Sequence, residues 1–257
     1  MTIFRTMAAA AVTLALLAAC TREMKTSFAV GEGSIPLSEG VEASLSYSYQ
    51  VEYVTGGLDK EVMERINATL VSQEILTGRE DGGSDVPAAC KHWAEGLEAG
   101  YQEDASGFLD ELDAEGSWMF NWEYRLSGEF STACPERRLR TYSSFYSEYT
   151  GGAHGLSGNS YTVFDMTSGE VVRQEDLFRE GFEEDGRIAG LLLERVLQAL
   201  REQDFEDALM GNPYPNGNFS VDREGVTWHY NPYEVAVYAA GQVEARLSWK
   251  ELAPYLK

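Results

Sequence analysis

Residues 41–54 read VEASLSYSYQVEYV, with Val41, Ala43, Leu45, Tyr47, Tyr49, Val51 and Tyr53 at every second position. Successive side chains of an extended chain point to opposite faces, so this spacing predicts a strand with one buried face. Gly56 and Gly57 end it, and Val62, Ile66 and Leu70 then recur at helical spacing, predicting a helix over 59–76. Downstream, Trp118, Phe120, Trp122, Tyr124 and Leu126 alternate again, as do Leu139, Thr141, Ser143, Phe145 and Ser147. Aromatic-rich alternation suits a half-buried antiparallel sheet. The acidic stretch 85–115 carries Trp93, Leu97 and Tyr101, then Phe108, Leu109 and Leu112, and reads as two helical pieces divided near Ser106 and Gly107.

The second half repeats this alternation of types. A strand is predicted over 161–166 and a turn over 167–170. A long helix follows over 185–208, with Ile188, Leu192, Val196, Ala199 and Leu200 as its buried stripe. A loop rich in Pro, Asn and Gly fills 211–217. Phe219 and Val221, then Val226, Trp228 and Tyr230, predict a hairpin across 222–225. A last strand over 242–249 leads to Ser248 and Glu251, spaced as a capping box for a short helix. Helices stand apart from runs of strands, which predicts an α+β fold: antiparallel sheets, helices packed on one side, two associated subdomains. The subdomains are expected over 38–152 and 153–257.

The first residues set a different kind of expectation. Arg5 is followed by an apolar run over 7–19, too short for a bilayer span of about 20 residues. A charged start and a short apolar core make a secretory signal. The run ends Leu17-Ala18-Ala19-Cys20, the pattern of a lipoprotein signal cleaved before a lipid-modified cysteine. Residues 1–19 are expected to be the signal, Cys20 the lipidation site and 20–37 a tether, so that acyl chains join the chain to a membrane. Thr21, not Asp, follows the cysteine, which favours the outer membrane in a Gram-negative host.

Charge excludes one class of partner. The chain has 20 basic and 42 acidic residues, a net charge of -22. Cleavage before Cys20 would remove only Arg5. Nucleic-acid binders need basic patches, so nucleic acid is not an expected partner. A cationic partner is compatible with such a field. Cys90 and Cys134 remain after lipidation, and in an oxidising compartment they form a disulfide candidate.

Motifs for chemistry are sparse. His92, His154 and His229 lack metal-ligand spacing, and no nucleophile elbow or phosphate loop is present, so no cofactor or metal is expected. Two segments stand out. Residues 149–155, YTGGAHG, place one His among three glycines that permit a sharp turn and close approach. Residues 231–241, NPYEVAVYAAG, open on a turn and carry Tyr233, Glu234 and Tyr238. Each reads either as packed connection or as ligand contact; aromatic side chains favour binding surfaces.

The runs YTGGAHG, FDMTSGEVVRQEDLF over 164–178 and GVTWHYNPYEVAVYAAG over 225–241 resemble one family in the same order. It is the domain of unknown function in the extracellular part of the lysozyme-sensing anti-sigma factor RsiV. A related domain stands beside the catalytic domain of the deacetylase PdaC. Residues 38–152 resemble the companion domain that precedes it. The resemblance implies an α+β fold and, from its sensor member, lysozyme binding. Neither a sigma-binding segment nor a deacetylase domain is present to carry over.

The expected function is a non-catalytic envelope binding lipoprotein, with Tyr149, His154, Tyr233, Glu234 and Tyr238 as ligand-binding candidates. A basic lysozyme-like protein is the sharpest candidate ligand and a cell-wall glycan the other. The alternatives are an enzyme acting on peptidoglycan or glycan through His154 and nearby carboxylates, and a structural envelope protein without a ligand.

Overall fold

The computed structural model describes residues 23–38, 43–75, 83–106 and 117–257. The signal, Cys20 and the second helical piece expected after Gly107 lie outside these residues. The expected α+β class holds: a five-stranded and a three-stranded sheet, each covered by helix on one face.

The larger sheet runs β1 (Lys25–Pro36), β2 (Ser44–Gly56), β3 (Trp122–Cys134), β4 (Leu139–Tyr149) and β5 (Leu156–Asp165), in that spatial order. Neighbours are antiparallel except β2 and β3, which are parallel. Their connection carries α1 (Lys60–Thr69), a wider π-helical turn (Leu70–Glu74) and α2 (Val86–Ser106). A parallel pair needs such a crossover, and this one corrects the expectation of wholly antiparallel sheets.

Alternation decides the two faces. Val51, Leu126, Phe130, Tyr142 and Phe164 point to the helices and pack on Ile66, Leu70, Ile75, Val86 and Cys90. Ser48, Gln50, Arg125, Ser127, Ser143 and Asn159 occupy the alternate positions and face away. Gln50 pairs with Ser127, Ser127 with Phe145, and Phe145 with Asn159, so one row crosses four strands of this open face.

β1 overturns the expected tether, which was to span 20–37. Its glycines and serines read as loop, yet each glycine has a packing reason. Gly31 pairs with Tyr49 and Gly33 with Tyr47. A Cβ at either glycine would lie 2.3 Å from the partner's tyrosine ring. The rings lie across the glycine backbone and supply the apolar cover that a side chain would give.

The smaller sheet is β6 (Phe219–Val221), β7 (Gly225–Tyr230) and β8 (Val243–Ser248), antiparallel throughout. Before it come a single turn, α3 (Gln174–Leu177), and the long α4 (Gly186–Glu202). Asp185 caps α4 by accepting the amides of Arg187 and Ile188. Ile188, Leu192, Val196 and Leu200 then pack on Val226, Trp228, Ala245 and Leu247. α4 stops six residues before the expected end at 208, near Asp204, whose φ is 62°. The hairpin over 219–230 and the capping box are as expected: Ser248 accepts the Glu251 amide, and Glu251 accepts the Ser248 amide. α5 (Trp249–Leu252) is the resulting turn.

The boundary expected between 152 and 153 cuts between two strands of one sheet, because β5 pairs along β4. The sheets change after Asp165 instead. Leu139 and Val163, at the far ends of β4 and β5, turn into the core of the smaller sheet and join the two units. Thr132 and Thr141 both donate to the Val221 carbonyl, and Thr141 accepts the Val221 amide.

The expected Cys90–Cys134 disulfide is not formed: both are buried free thiols. Cys90 belongs to the core under the helices, and Cys134 to the core of the smaller sheet. A disulfide needs Cα atoms within about 7 Å, and opposite faces of a sheet separate these side chains.

Candidate functional site

Two loops build the site. The first joins β4 to β5. Gly151 and Gly152 have φ of 88° and 97°, the left-handed region open to glycine. At Gly151 a Cβ would meet the Met119 carbonyl oxygen at 2.6 Å, so close backbone approach also requires glycine there. Tyr149 Oη donates to the Gly152 carbonyl at 3.0 Å, and His154 Nδ1 lies 3.1 Å from the Gly155 carbonyl oxygen. The ring of His154 is exposed.

The second loop joins β7 to β8. Val235 and Ala236 anchor it in the core of the smaller sheet. Glu234 braces it: its carboxylate accepts the Asn231 amide at 2.8 Å and Asn216 Nδ2 at 3.1 Å. With the middle pinned in this way, Tyr233 and Tyr238 project outward, 57% and 39% exposed. Tyr233 has φ of 73°. An exposed bulky residue in the left-handed region is strained, and such strain clusters at functional sites.

The loops meet through their rings. His154 stacks on Tyr238 with centroids 5.4 Å apart, and Tyr238 leans on Tyr233 at 5.5 Å. Tyr149 instead holds its own loop through its bond to the Gly152 carbonyl. Four of the five expected site residues are thus sorted by role: three exposed rings in a row, with Glu234 as brace. Beside them a groove of about 420 Å³ is lined by Leu126, Tyr146, Leu156, Asn231, Pro232 and Glu234. Leu156 is exposed on its rim. The arrangement offers flat, weakly polar rings next to an apolar slot, a surface suited to binding a partner.

A second constellation was not anticipated from the sequence. Ser220, His229 and Glu244 lie on the outward positions of β6, β7 and β8. Ser220 Oγ is 2.8 Å from His229 Nε2, and His229 Nδ1 is 3.1 Å from Glu244 Oε1. The hydrogen bond from His229, with the Arg246 charge acting in the same sense, holds the Glu244 carboxyl below its ordinary range. This matches a hydroxyl–imidazole–carboxylate relay in order. However, Ser220 and His229 are buried, and the Tyr161 ring lies against the imidazole at 3.5 Å between centroids. The relay fixes the imidazole as a backing for Tyr161. The available signal was period-two alternation placing His229 and Glu244 opposite each other across the last two strands.

Asparagine side chains close the outer edge of β5. Asn231 accepts the Asn159 amide at 2.9 Å and donates to the Asn159 carbonyl at 3.0 Å. Asn218 accepts the Tyr161 amide at 2.9 Å and donates to the Asn159 carbonyl at 3.1 Å. Their primary amides replace a neighbouring strand. Among the described residues no group of three or more His, Cys, Asp or Glu is arranged to hold a metal, and no helix is long and apolar enough to cross a membrane.

No curated protein matches the chain. A family model described as "Protein of unknown function (DUF3298)" matches residues 175–250. Among solved structures, a member of the DUF3298 family from Bacteroides fragilis is 18% identical with a TM-score of 0.79, covering 92% of this chain and 95% of that one. A DUF3298 family protein from Pseudomonas aeruginosa PAO1 is 16% identical with a TM-score of 0.63, covering 92% and 96%. At these identities the likeness is one of fold. Residues 175–250, from α3 to α5, are similar to DUF3298, a domain of unknown function, set in an α+β fold shared with solved members along nearly the whole chain.

Proposed function

We propose that this chain is a lipid-anchored envelope protein that binds a ligand without catalysis, through the rings of His154 on the β4–β5 loop and of Tyr238 and Tyr233 in its DUF3298-like region. The observation that carries this reading is the exposed row of three rings from two distant loops, His154 stacked on Tyr238 and Tyr238 tilted against Tyr233, with Val235 and Ala236 buried between the two tyrosines. Rigid aromatic side chains give large contact area at low entropic cost, which is what a binding rim needs. The lipid anchor rests on the lipobox at Cys20, and the proposed relation to RsiV and PdaC rests on the three motif runs. The sharpest ligand is a basic lysozyme-like protein, supported by the net charge of -22 and by that resemblance.

The test is calorimetry of the full-length chain in detergent with hen lysozyme at low and physiological salt. Saturable one-to-one binding that weakens with salt and falls about tenfold in Tyr238→Ala is expected. Absence of saturable binding at either salt removes lysozyme as the ligand. Binding untouched by Tyr238→Ala removes the ring row as the site. For the anchor, Cys20→Ser is expected to move the protein from the membrane fraction to the soluble one.

A further inference from the structure

The open face of the five-stranded sheet carries a second groove, on the side away from the helices. Gln50, Ser127, Ser143, Phe145, Asn159 and Tyr161 border about 300 Å³ there, with Glu129 at one side. The next row across β2 and β3 is Ser48 opposite Arg125, and it belongs to a further groove of about 540 Å³ that reaches Glu32 and Ser34 on β1. Adjacent rows of one sheet face join the two grooves into a long shallow path. In a chain of net charge -22, the lining around Tyr161 is mostly hydroxyl and amide.

Tyr161, partly buried, is held at its ring, its hydroxyl and its amide. One face of its ring lies on the His229 imidazole, inclined by 10°. Its hydroxyl accepts Gln242 Nε2 at 3.3 Å, and its amide donates to Asn218. His229 is itself fixed at both nitrogens by Ser220 and Glu244. Preorganised side chains lose little entropy on binding.

We propose that this open face binds a neutral saccharide chain, one sugar ring resting against Tyr161 and its hydroxyls hydrogen bonded to Gln50, Ser127, Ser143 and Asn159. The chemistry selects this class. Alternating hydroxyl and amide groups match the donors and acceptors of sugar hydroxyls, and an aromatic ring covers the apolar C–H face of a pyranose. An anionic polymer would meet the chain's negative field, while Gln50, Ser127, Ser143 and Asn159 across the groove are uncharged, with Glu129 at one side. The joined grooves suit an extended polymer rather than a compact solute. Asn159 borders both this groove and the one beside the His154–Tyr238–Tyr233 rim, but none of the three rings lines this face, and the inference stands without them.

The probes are chitotetraose and cellotetraose, both neutral, titrated into the full-length protein in detergent and followed by calorimetry and saturation-transfer NMR. At least one is expected to bind saturably, with affinity unchanged by added salt. Gln50→Ala and Ser127→Ala, at exposed positions that leave the fold intact, are expected to weaken binding about fivefold to tenfold each. Tyr161→Phe should keep the affinity within about threefold, while Tyr161→Leu should lose about tenfold or more. Tyr238→Ala should leave it unchanged. The proposal is overturned if neither sugar binds saturably, or if affinity survives Gln50→Ala, Ser127→Ala and Tyr161→Leu together.

Discussion

The imidazole of His229 lies flat against the phenol ring of Tyr161, centroids 3.5 Å apart, and so joins the end of one sheet to the face of the other. Each ring nitrogen of His229 has a partner, one on β6 and one on β8. Replacing it therefore removes a stack, two hydrogen bonds and buried volume at once. His229→Ala is expected to cost about 2–4 kcal/mol. His229→Phe keeps the stack but strands the Ser220 hydroxyl and should cost about 1–2 kcal/mol. Urea unfolding measures both; a loss below about 0.5 kcal/mol for His229→Ala would show the contact to be incidental.

Acid should weaken the fold through specific carboxylates. The Ser248 hydroxyl and amide, both donating to Glu251, hold its carboxyl below the ordinary glutamate range, with Arg195 adding in the same sense. The His229 hydrogen bond does the same for Glu244. For a depressed carboxyl the unfolded chain binds the proton first as pH falls. The stability these groups give is thus whole at neutral pH and is lost below about pH 5, as pH drops through the folded-state value. Glu251→Gln should lower stability at pH 7 and flatten the loss between about pH 5 and pH 3. Denaturation midpoints across that range check it; parallel curves for the two proteins would contradict it.

Tyr233 should trade stability for binding. Its φ of 73° suits glycine, and its ring is largely exposed. Tyr233→Gly relieves about 1 kcal/mol of backbone strain but gives the unfolded chain more freedom. The expected net is a gain of up to about 0.5 kcal/mol, with weaker ligand binding at the rim. A clear destabilisation would mean that the Tyr233–Tyr238 contact holds the loop rather than serving a partner.

The two thiols should be silent until the chain unfolds. Burial pushes the Cys90 thiol up to about 12 and raises that of Cys134. Only thiolates react readily with aromatic disulfide reagents. The native protein is expected to show no reaction at Cys90 or Cys134 at pH 8, and unfolding should expose both. An intact mass two hydrogens lighter, restored by reductant, would establish the bridge that the two separate cores exclude.

How far the sequence could be read depended on whether a residue's role was local. Alternation placed β2 to β4 and the last hairpin, because one-sided burial imposes period two. Helical spacing found α4 but not its end, since the break at Asp204 leaves no Gly or Pro signal. β1 was invisible: its Gly31 and Gly33 are explained by tyrosines on another strand, a relation that no window of sequence contains. The candidate rim was legible as residues, because glycine-rich and Asn-Pro turns mark loops. Its assembly was not, because the stacking of His154 on Tyr238 is a product of tertiary packing. The Ser220–His229–Glu244 group escaped for the same reason, each member lying on a different strand.

The parallel pairing of β2 with β3 fixes the order in which a growing chain can settle. As an exported chain emerges N-terminus first, β1 and β2 can pair at once, and the inner edge of β2 then waits for both helices to follow. Until Trp122 and its successors arrive, that edge is open to any passing strand. A chain in this interval needs a holding factor or a fast helical cover, so loss of envelope chaperones should harm this protein before β3 is complete far more than after it.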